Sequence, residues 1–309
     1  MPAAALSQDA LTAPTMPISI LRLPPAQLER AHAAYAAAVA AKRARLALGF
    51  VCLVVAITLA GIAGEVDLGK FLANIDRLPN YIRSLVPALS WANFGADVAE
   101  WFWNLDEWLK LLADTLLIAY LGTLLGALGA FVLCFSACVN LEQRGWVRFV
   151  SRRFLEFCRT VPEVVFALLF VVAFGLGAMP GVLALAIHTM GALGKLFAEV
   201  VENIDMRPVE GATATGANRV ETIRFAVLPQ VMSNFTSYAL LRFEINVRTA
   251  AVMGFVGAGG IGQDLMVAIR KFYYTDVSAI LVLIVATVMA IDLVTERVRH
   301  RLIGMERKP

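Results

Sequence analysis

The chain has 309 residues, 59% of them hydrophobic and 17% charged, with a formal net charge of +3. Soluble domains carry about 25% charged residues, so this composition argues against an ordinary soluble enzyme, and the small net charge gives no reason to expect a nucleic-acid partner. Long runs with few or no charges point instead to membrane spans.

Residues 1–45 form an N-terminal extension, and the Ala-rich stretch 27–45 predicts a helix leading into the first span at 46–63. The charged region ahead of that span is too long for the basic start of a cleaved signal, so 46–63 is expected to stay as an anchor. Residues 64–110 hold Trp91, Trp101, Trp103 and Trp108. Tryptophan favours the membrane–water boundary, which predicts one or two helices lying on the outer surface. A substrate-binding aromatic box is the alternative.

Further spans are expected at 116–139, 161–177, 181–197, 227–253 and 277–294. Pro180 and Gly181 predict a tight external turn between the third and fourth. With the six spans alternating, the inside segments hold 18 Lys and Arg and the outside segments six. The bias sets both termini in the cytoplasm. Arg144, Arg148 and Arg152 recur at a spacing of four. They suit anionic head groups or simple enforcement of topology. Cys52, Cys134, Cys138 and Cys158 lack the neighbouring ligands a metal needs, so no metal site is expected and they read as apolar filler.

Ionisable side chains at membrane depth are costly and mark candidate functional positions. His188 lies in the fourth span, and Arg242, Glu244 and Arg248 in the fifth. Glu244 and Arg248 share a helix face and can pair, whereas Arg242 points elsewhere. Each is a candidate for the translocation path or its gate, and each also suits an interhelical contact. Glu163 is expected to pair with Arg159, four residues before it.

The stretch VGAGGIG contains Gly257, Gly259 and Gly262 in the spelling of a dinucleotide loop. That reading requires a preceding strand and a following acid about 20 residues on. A span precedes it instead, and Asp276 comes too early, so no bound cofactor is expected. Gly257, Gly259, Gly260 and Gly262 are read as a gate or re-entrant turn, where close backbone approach is needed.

The loop RPVEGATATGANRVETIRFAVLPQ, 207–230, is rich in small residues and follows a span. Pro208 suits a first helical turn, and Glu210 suits the positive end of a helix. A mere connector would not need such a knob. Glu210, Gly211, Ala212, Gly216, Ala226, Leu228 and Pro229 resemble the coupling motif of ABC importer permeases. Gly211 stands where Ala is usual and Ala226 where Ile is usual. With 182–204 and 238–262, the segment resembles the phosphonate-type permease of the methionine-importer-like group.

The resemblance implies an all-α integral membrane fold. It consists of a five-helix importer-permease core over 111–300, preceded by one extra N-terminal helix, for six spans in all. It implies a coupling loop at 205–229, with Glu210, Gly211, Ala212, Gly216, Leu228 and Pro229 as the ATPase-coupling residues, and a cytoplasmic tail at 301–309. It also implies a homodimer in the bacterial inner membrane, two ATPase subunits that bind ATP and Mg, an extracytoplasmic solute-binding protein and a phosphonate-like anion. No Walker A loop is present in the sequence, because Phe71 and Leu196 follow the two Gly-Lys pairs. The chain is therefore expected to be non-catalytic. An ATP-independent secondary transporter or channel for small anions is the alternative.

Overall fold

The computed structural model describes residues 24–306. Residues 1–23 of the expected extension and 307–309 of the expected tail lie outside the described residues. The chain divides into two compact units, Met1–Asp76 and Arg77–Pro309. Among the described residues every regular element is helical.

The first unit contains α1 (Pro25–Ala63) and α2 (Leu68–Ala73). The Ala-rich stretch and the first span are one continuous helix of 39 residues. No proline interrupts its interior, and alanine and leucine favour helix. Its end at Gly64 is followed by Glu65 at positive φ. Asp67 then caps α2 by accepting the Lys70 N–H at 2.9 Å.

The second unit begins with α3 (Arg77–Leu85) and α4 (Phe94–Trp101). The outer segment thus holds three short helices, counting α2, and not the one or two expected. Its tryptophans also do more than sit at a boundary. Trp101 Nε1 donates to Ser278 Oγ at 3.0 Å, Trp103 Nε1 to Asp276 Oδ1 at 3.2 Å, and Trp108 Nε1 to Asp264 Oδ2 at 3.0 Å. Trp108 is 1% exposed, whereas Trp91 is open.

Among the described residues four long helices are apolar enough to cross a membrane: α1, α5 (Leu105–Ala137), α8 (Ala178–Glu202) and α13 (Tyr274–Glu306). Two bent pairs raise the number to as many as six. One joins α6 (Gly145–Thr160) to α7 (Glu163–Phe174) at 85°, and the other joins the helix that ends at Val256 to α12 (Ile261–Arg270) at 46°. The expected third span at 161–177 is corrected accordingly. Its helix has 12 residues, about 18 Å long, and falls short of a bilayer core of about 30 Å. Pro162, which cannot continue the helix of α6, marks the break.

The expected turn at Pro180–Gly181 is also corrected. Gly175 and Gly177, at φ +89° and +143°, make the turn, and Pro180 lies in the first turn of α8, where its missing N–H costs nothing. Three glycines of α5 face α8. A Cβ on Gly122 would lie 2.6 Å from Leu185 Cβ, one on Gly126 would lie 2.6 Å from Thr189 Cβ, and one on Gly129 would lie 2.7 Å from Met190 Sδ. Small residues at this spacing let two membrane helices approach backbone to backbone. On another side of α8, a Cβ on Gly191 would lie 2.6 Å from the Arg159 nitrogen, which fixes α6 closely against it.

Candidate functional site

Two regions gather the polar chemistry. The first is a network at membrane depth, built by α7, α8, α5 and α11 (Leu228–Met253). Asn246 is fully buried. Its Nδ2 donates to Thr123 Oγ1 and to Thr189 Oγ1, each at 2.8 Å, and so ties α11 to α5 and α8. Such interhelical bonds contribute about 0.6–2 kcal/mol each in a membrane.

Arg242, one turn earlier on α11, donates through Nε to Thr189 Oγ1 at 3.5 Å and meets His188 Nδ1 with Nη2. A guanidinium has only donors, so His188 Nδ1 accepts and the ring proton sits on Nε2. That nitrogen lies 3.4 Å from Glu163 Oε2. Glu163 heads α7, where a negative charge meets the positive helix end. The expected pairing of Glu163 with Arg159 is corrected. The chain turns 85° between them, so the four-residue spacing no longer places the two on one face, and Glu163 turns to His188 and to Thr249 Oγ1 at 3.5 Å.

Arg248 pairs with Glu244 on its own helix and lies 3.8 Å from Asp292 Oδ1 of α13. Glu244 and Asp292 therefore serve Arg248, while Arg242 meets His188, whose other ring nitrogen faces Glu163. The candidate path residues fall into two groups. His188 and Arg242 share one network, and Glu244 and Arg248 form a separate pair that is half-open.

The glycine turn is packed. Gly257, Gly259 and Gly260 adopt φ near +80°, a region that disfavours any side chain. The Gly177 N–H donates to the Gly257 carbonyl at 3.0 Å, and the Ile261 N–H donates to Thr115 Oγ1 at 2.9 Å. The turn is thus stitched to the α7–α8 turn and to α5. Gly262 differs from the other three. It lies inside α12, where a Cβ would overlap the Ala251 carbonyl oxygen.

The second region is the small-residue knob. Arg207–Ala214 forms α9, with Pro208 in its first turn. Val209 is buried in the core beside Phe135, Val201 and Val227. Burying such a side chain contributes about 1.5–3 kcal/mol and roots the helix. Around that root Glu210, Gly211 and Gly216 are exposed and Ala212 is half-buried. Gly216, at φ +87°, turns the chain in open space.

The short helix α10 (Arg219–Thr222) follows, capped reciprocally by Asn218 and Glu221. It passes through the π-helical turn Ile223–Val227 into α11, with Leu228 and Pro229 in that helix's first turn. Val220 and Phe225 stand 73% and 70% exposed. An apolar, small-residue surface of this kind suits a protein partner.

Three side-chain contacts fasten the helix ends beside the knob. Gln230 clasps the Asp205 backbone, accepting its N–H at 3.0 Å and donating to its carbonyl at 3.1 Å. Glu202 pairs with Arg152 and accepts the Val139 N–H at 2.8 Å. Glu142 pairs with Arg219 at 2.6 Å. The Arg144 N–H and then the Arg219 guanidinium hold the Glu142 carboxyl below the usual carboxylate range. Arg148 and Arg152 thus turn to protein carbonyls, Glu142 O at 3.4 Å and Ala137 O at 2.7 Å. The outer face of α6 presents Trp146, Phe149 and Phe157.

Residues 122–303 match the family described as the binding-protein-dependent transport system inner membrane component. The chain belongs to this family. A phosphite transport system permease protein of Stutzerimonas stutzeri is 44% identical over 186 residues, covering 60% of this chain and 68% of the relative. A putative cryptic phosphonate transport system permease protein of Escherichia coli strain K12 is 54% identical over 121 residues, 39% of this chain and 99% of the relative. The MetNI methionine ABC transporter, solved in inward-facing conformations, has a TM-score of 0.53 at 19% identity, over 63% of this chain and 95% of that one, a likeness of fold. The chain is an ABC importer permease, a multi-pass inner-membrane component, in agreement with the resemblance carried by the motif.

Thr123, Asn246, Glu142 and Arg219 join the site only through the structure. Asn246 carried a signal, as an amide inside a span two residues after Glu244. Thr123 and the Arg219–Glu142 pair carried none, because their partners are 77 to 123 residues away.

Proposed function

We propose that this permease moves phosphonate or a related phosphorus oxyanion into the cell, that two copies of the chain form the path, and that a separate ATPase drives it through α9. The observation that carries the coupling role is the knob itself. It is a small-residue helix rooted by Val209, followed by the exposed apolar side chains Val220 of α10 and Phe225 of the π-helical turn. The substrate class is supported by the relatives named for phosphite and phosphonate transport and by Arg242 at membrane depth. A guanidinium suits a phosphorus oxyanion through paired donors.

Tight binding inside the path would hold the substrate, so an extracytoplasmic binding protein supplies the selection and Arg242 a transient contact. ATP and Mg belong to the ATPase. Closure of the ATPase dimer draws the two knobs together and shifts the spans between outward and inward states. Ligands drive such a cycle only through different affinity for the two states.

A tagged chain is expected to co-purify a soluble ATPase. Gly216→Glu is expected to abolish that association, since a Cβ there meets open space and the fold survives a left-handed strain of about 1–2 kcal/mol. A Gly216→Glu chain that assembles and transports as the parent does would refute the assignment of the docking helix.

A further inference from the structure

Glu142 lies in the connection between α5 and α6, and its side chain is 5% exposed. Its Oε1 accepts the Arg144 N–H at 3.0 Å, and its Oε2 accepts Arg219 Nη1 at 2.6 Å. Arg219 Nη2 donates at 3.1 Å to the carbonyl of Phe135, in the last turn of α5, where backbone acceptors lack helical partners. Arg219 is the first residue of α10 and stands three residues after the Gly216 turn of the knob. One planar side chain therefore holds both the α5 end and the α5–α6 connection.

We propose that the Arg219–Glu142 pair is a latch that carries movement of the knob into the membrane helices. The inference rests on the reading that α9 docks an ATPase. Val209 among the core apolars makes non-directional contacts that allow sliding, and the Gln230 clasp on the Asp205 backbone ties the start of the knob to α11, not to α5. The latch is directional, because the guanidinium fork fixes distance and angle to two acceptors at once.

Its position also matters mechanically. α10 runs unbroken through the π-helical turn into α11, and insertions of this kind recur at functional positions. At membrane depth α11 is bonded to α5 through Asn246 and Thr123. Joined at two levels, α5 and α11 form one lever, whose cytoplasmic end is held at Arg219 and whose membrane part carries Arg242. Arg219 and Glu142 are positioning residues, with no substrate contact.

The test uses the full chain, reconstituted in liposomes with its ATPase and binding protein, with methylphosphonate as the probe and phosphite as a second arm. Glu142→Gln and Arg219→Gln are expected to co-purify the ATPase as the parent does and to hydrolyse ATP. Their uptake per ATP hydrolysed should fall about tenfold, the scale of a typical coupling between sites. Arg219→Lys keeps the charge but loses the fork, so its uptake per ATP should fall between the parent and Arg219→Gln, an order that a defect of folding alone would not track.

Unchanged uptake per ATP in both Gln variants overturns the latch. So does loss of ATPase co-purification in them, which would make the pair a shaper of the docking surface and not a transmitter. Gly216→Glu in the same preparation separates the two claims. If that variant binds the ATPase and transports normally, the docking reading fails and the latch with it. If it uncouples while both Gln variants do not, only the latch fails.

Discussion

Replacing Gly126 with alanine should loosen the α5–α8 contact that supports the membrane network. A Cβ at this position would stand 2.6 Å from Thr189 Cβ and 2.7 Å from the Ala186 carbonyl oxygen, where ordinary contact begins at 3.4 Å. One of the two obstacles is backbone, so the helices must part by roughly 0.8 Å, the difference between the first and last of these distances. Overpacking of this kind costs about 1–3 kcal/mol.

Asn246 bridges Thr123 of α5 and Thr189 of α8, so the same shift stretches one of its two 2.8 Å bonds to roughly 3.6 Å, beyond hydrogen-bonding range. Losing it adds about 0.6–2 kcal/mol. The expected loss is about 2–5 kcal/mol, or a fall in melting temperature of about 4–20 °C at about 2–4 °C per kcal/mol. Size-exclusion chromatography of the heated, detergent-solubilised protein measures it. Gly211→Ala is the control, since a Cβ there meets nothing within 4 Å. Equal melting of the Gly126→Ala and control proteins would refute the close approach of α5 and α8.

Gly211→Ala should leave ATPase co-purification intact and make α9 firmer by up to about 1 kcal/mol, the helix preference of alanine over glycine, read as greater protection from hydrogen exchange at 207–214. Asn246→Ala removes two interhelical bonds and should lower stability by about 1–3 kcal/mol, measured by the same heating assay. Arg242→Gln should lower uptake about tenfold, as expected of a lost transition-state contact of about 1.4 kcal/mol, while the affinity of the binding protein for its ligand is unchanged by calorimetry. Glu142 has its carboxyl held below its ordinary value of 4.5. Its contribution to stability is thus complete above pH 4.5 and is lost as pH falls through the lowered value. The melting gap between the parent and Glu142→Gln should be full at pH 7 and shrink towards pH 3.5. A gap that widens on acidification would contradict the pairing.

The uncharged runs announced the membrane part of α1 and α5, and apolar runs interrupted only by His188 and Lys195 or by Asp292 announced α8 and α13, because a bilayer demands continuous apolar helix. The spacing from Glu210 to Pro229 announced the knob because its residue types are specific in sequence order. The break at Pro162 was harder to read. An apolar run on either side of a proline looks like one span until packing decides the angle, here 85°. The Gly122–Gly126 spacing within a span was readable as a close-packing face, by the same small-residue rule that the structure obeys. The partnerships of Arg219 with Glu142 and of Asn246 with Thr123 were not, because they depend on where whole helices land. The tryptophans show the same limit. Composition suggested a boundary layer, whereas hydrogen bonds from three of them to Asp264, Asp276 and Ser278 fasten the outer segment to the last helices.

The central claim is that this permease moves its substrate only when an ATPase acts on the knob. Uptake of radiolabelled methylphosphonate into liposomes tests it most directly, with the binding protein outside and the chain reconstituted with or without its ATPase. ATP-dependent uptake is expected with the ATPase, and none without it. Uptake by the chain alone, with no ATPase and no ATP, would contradict it.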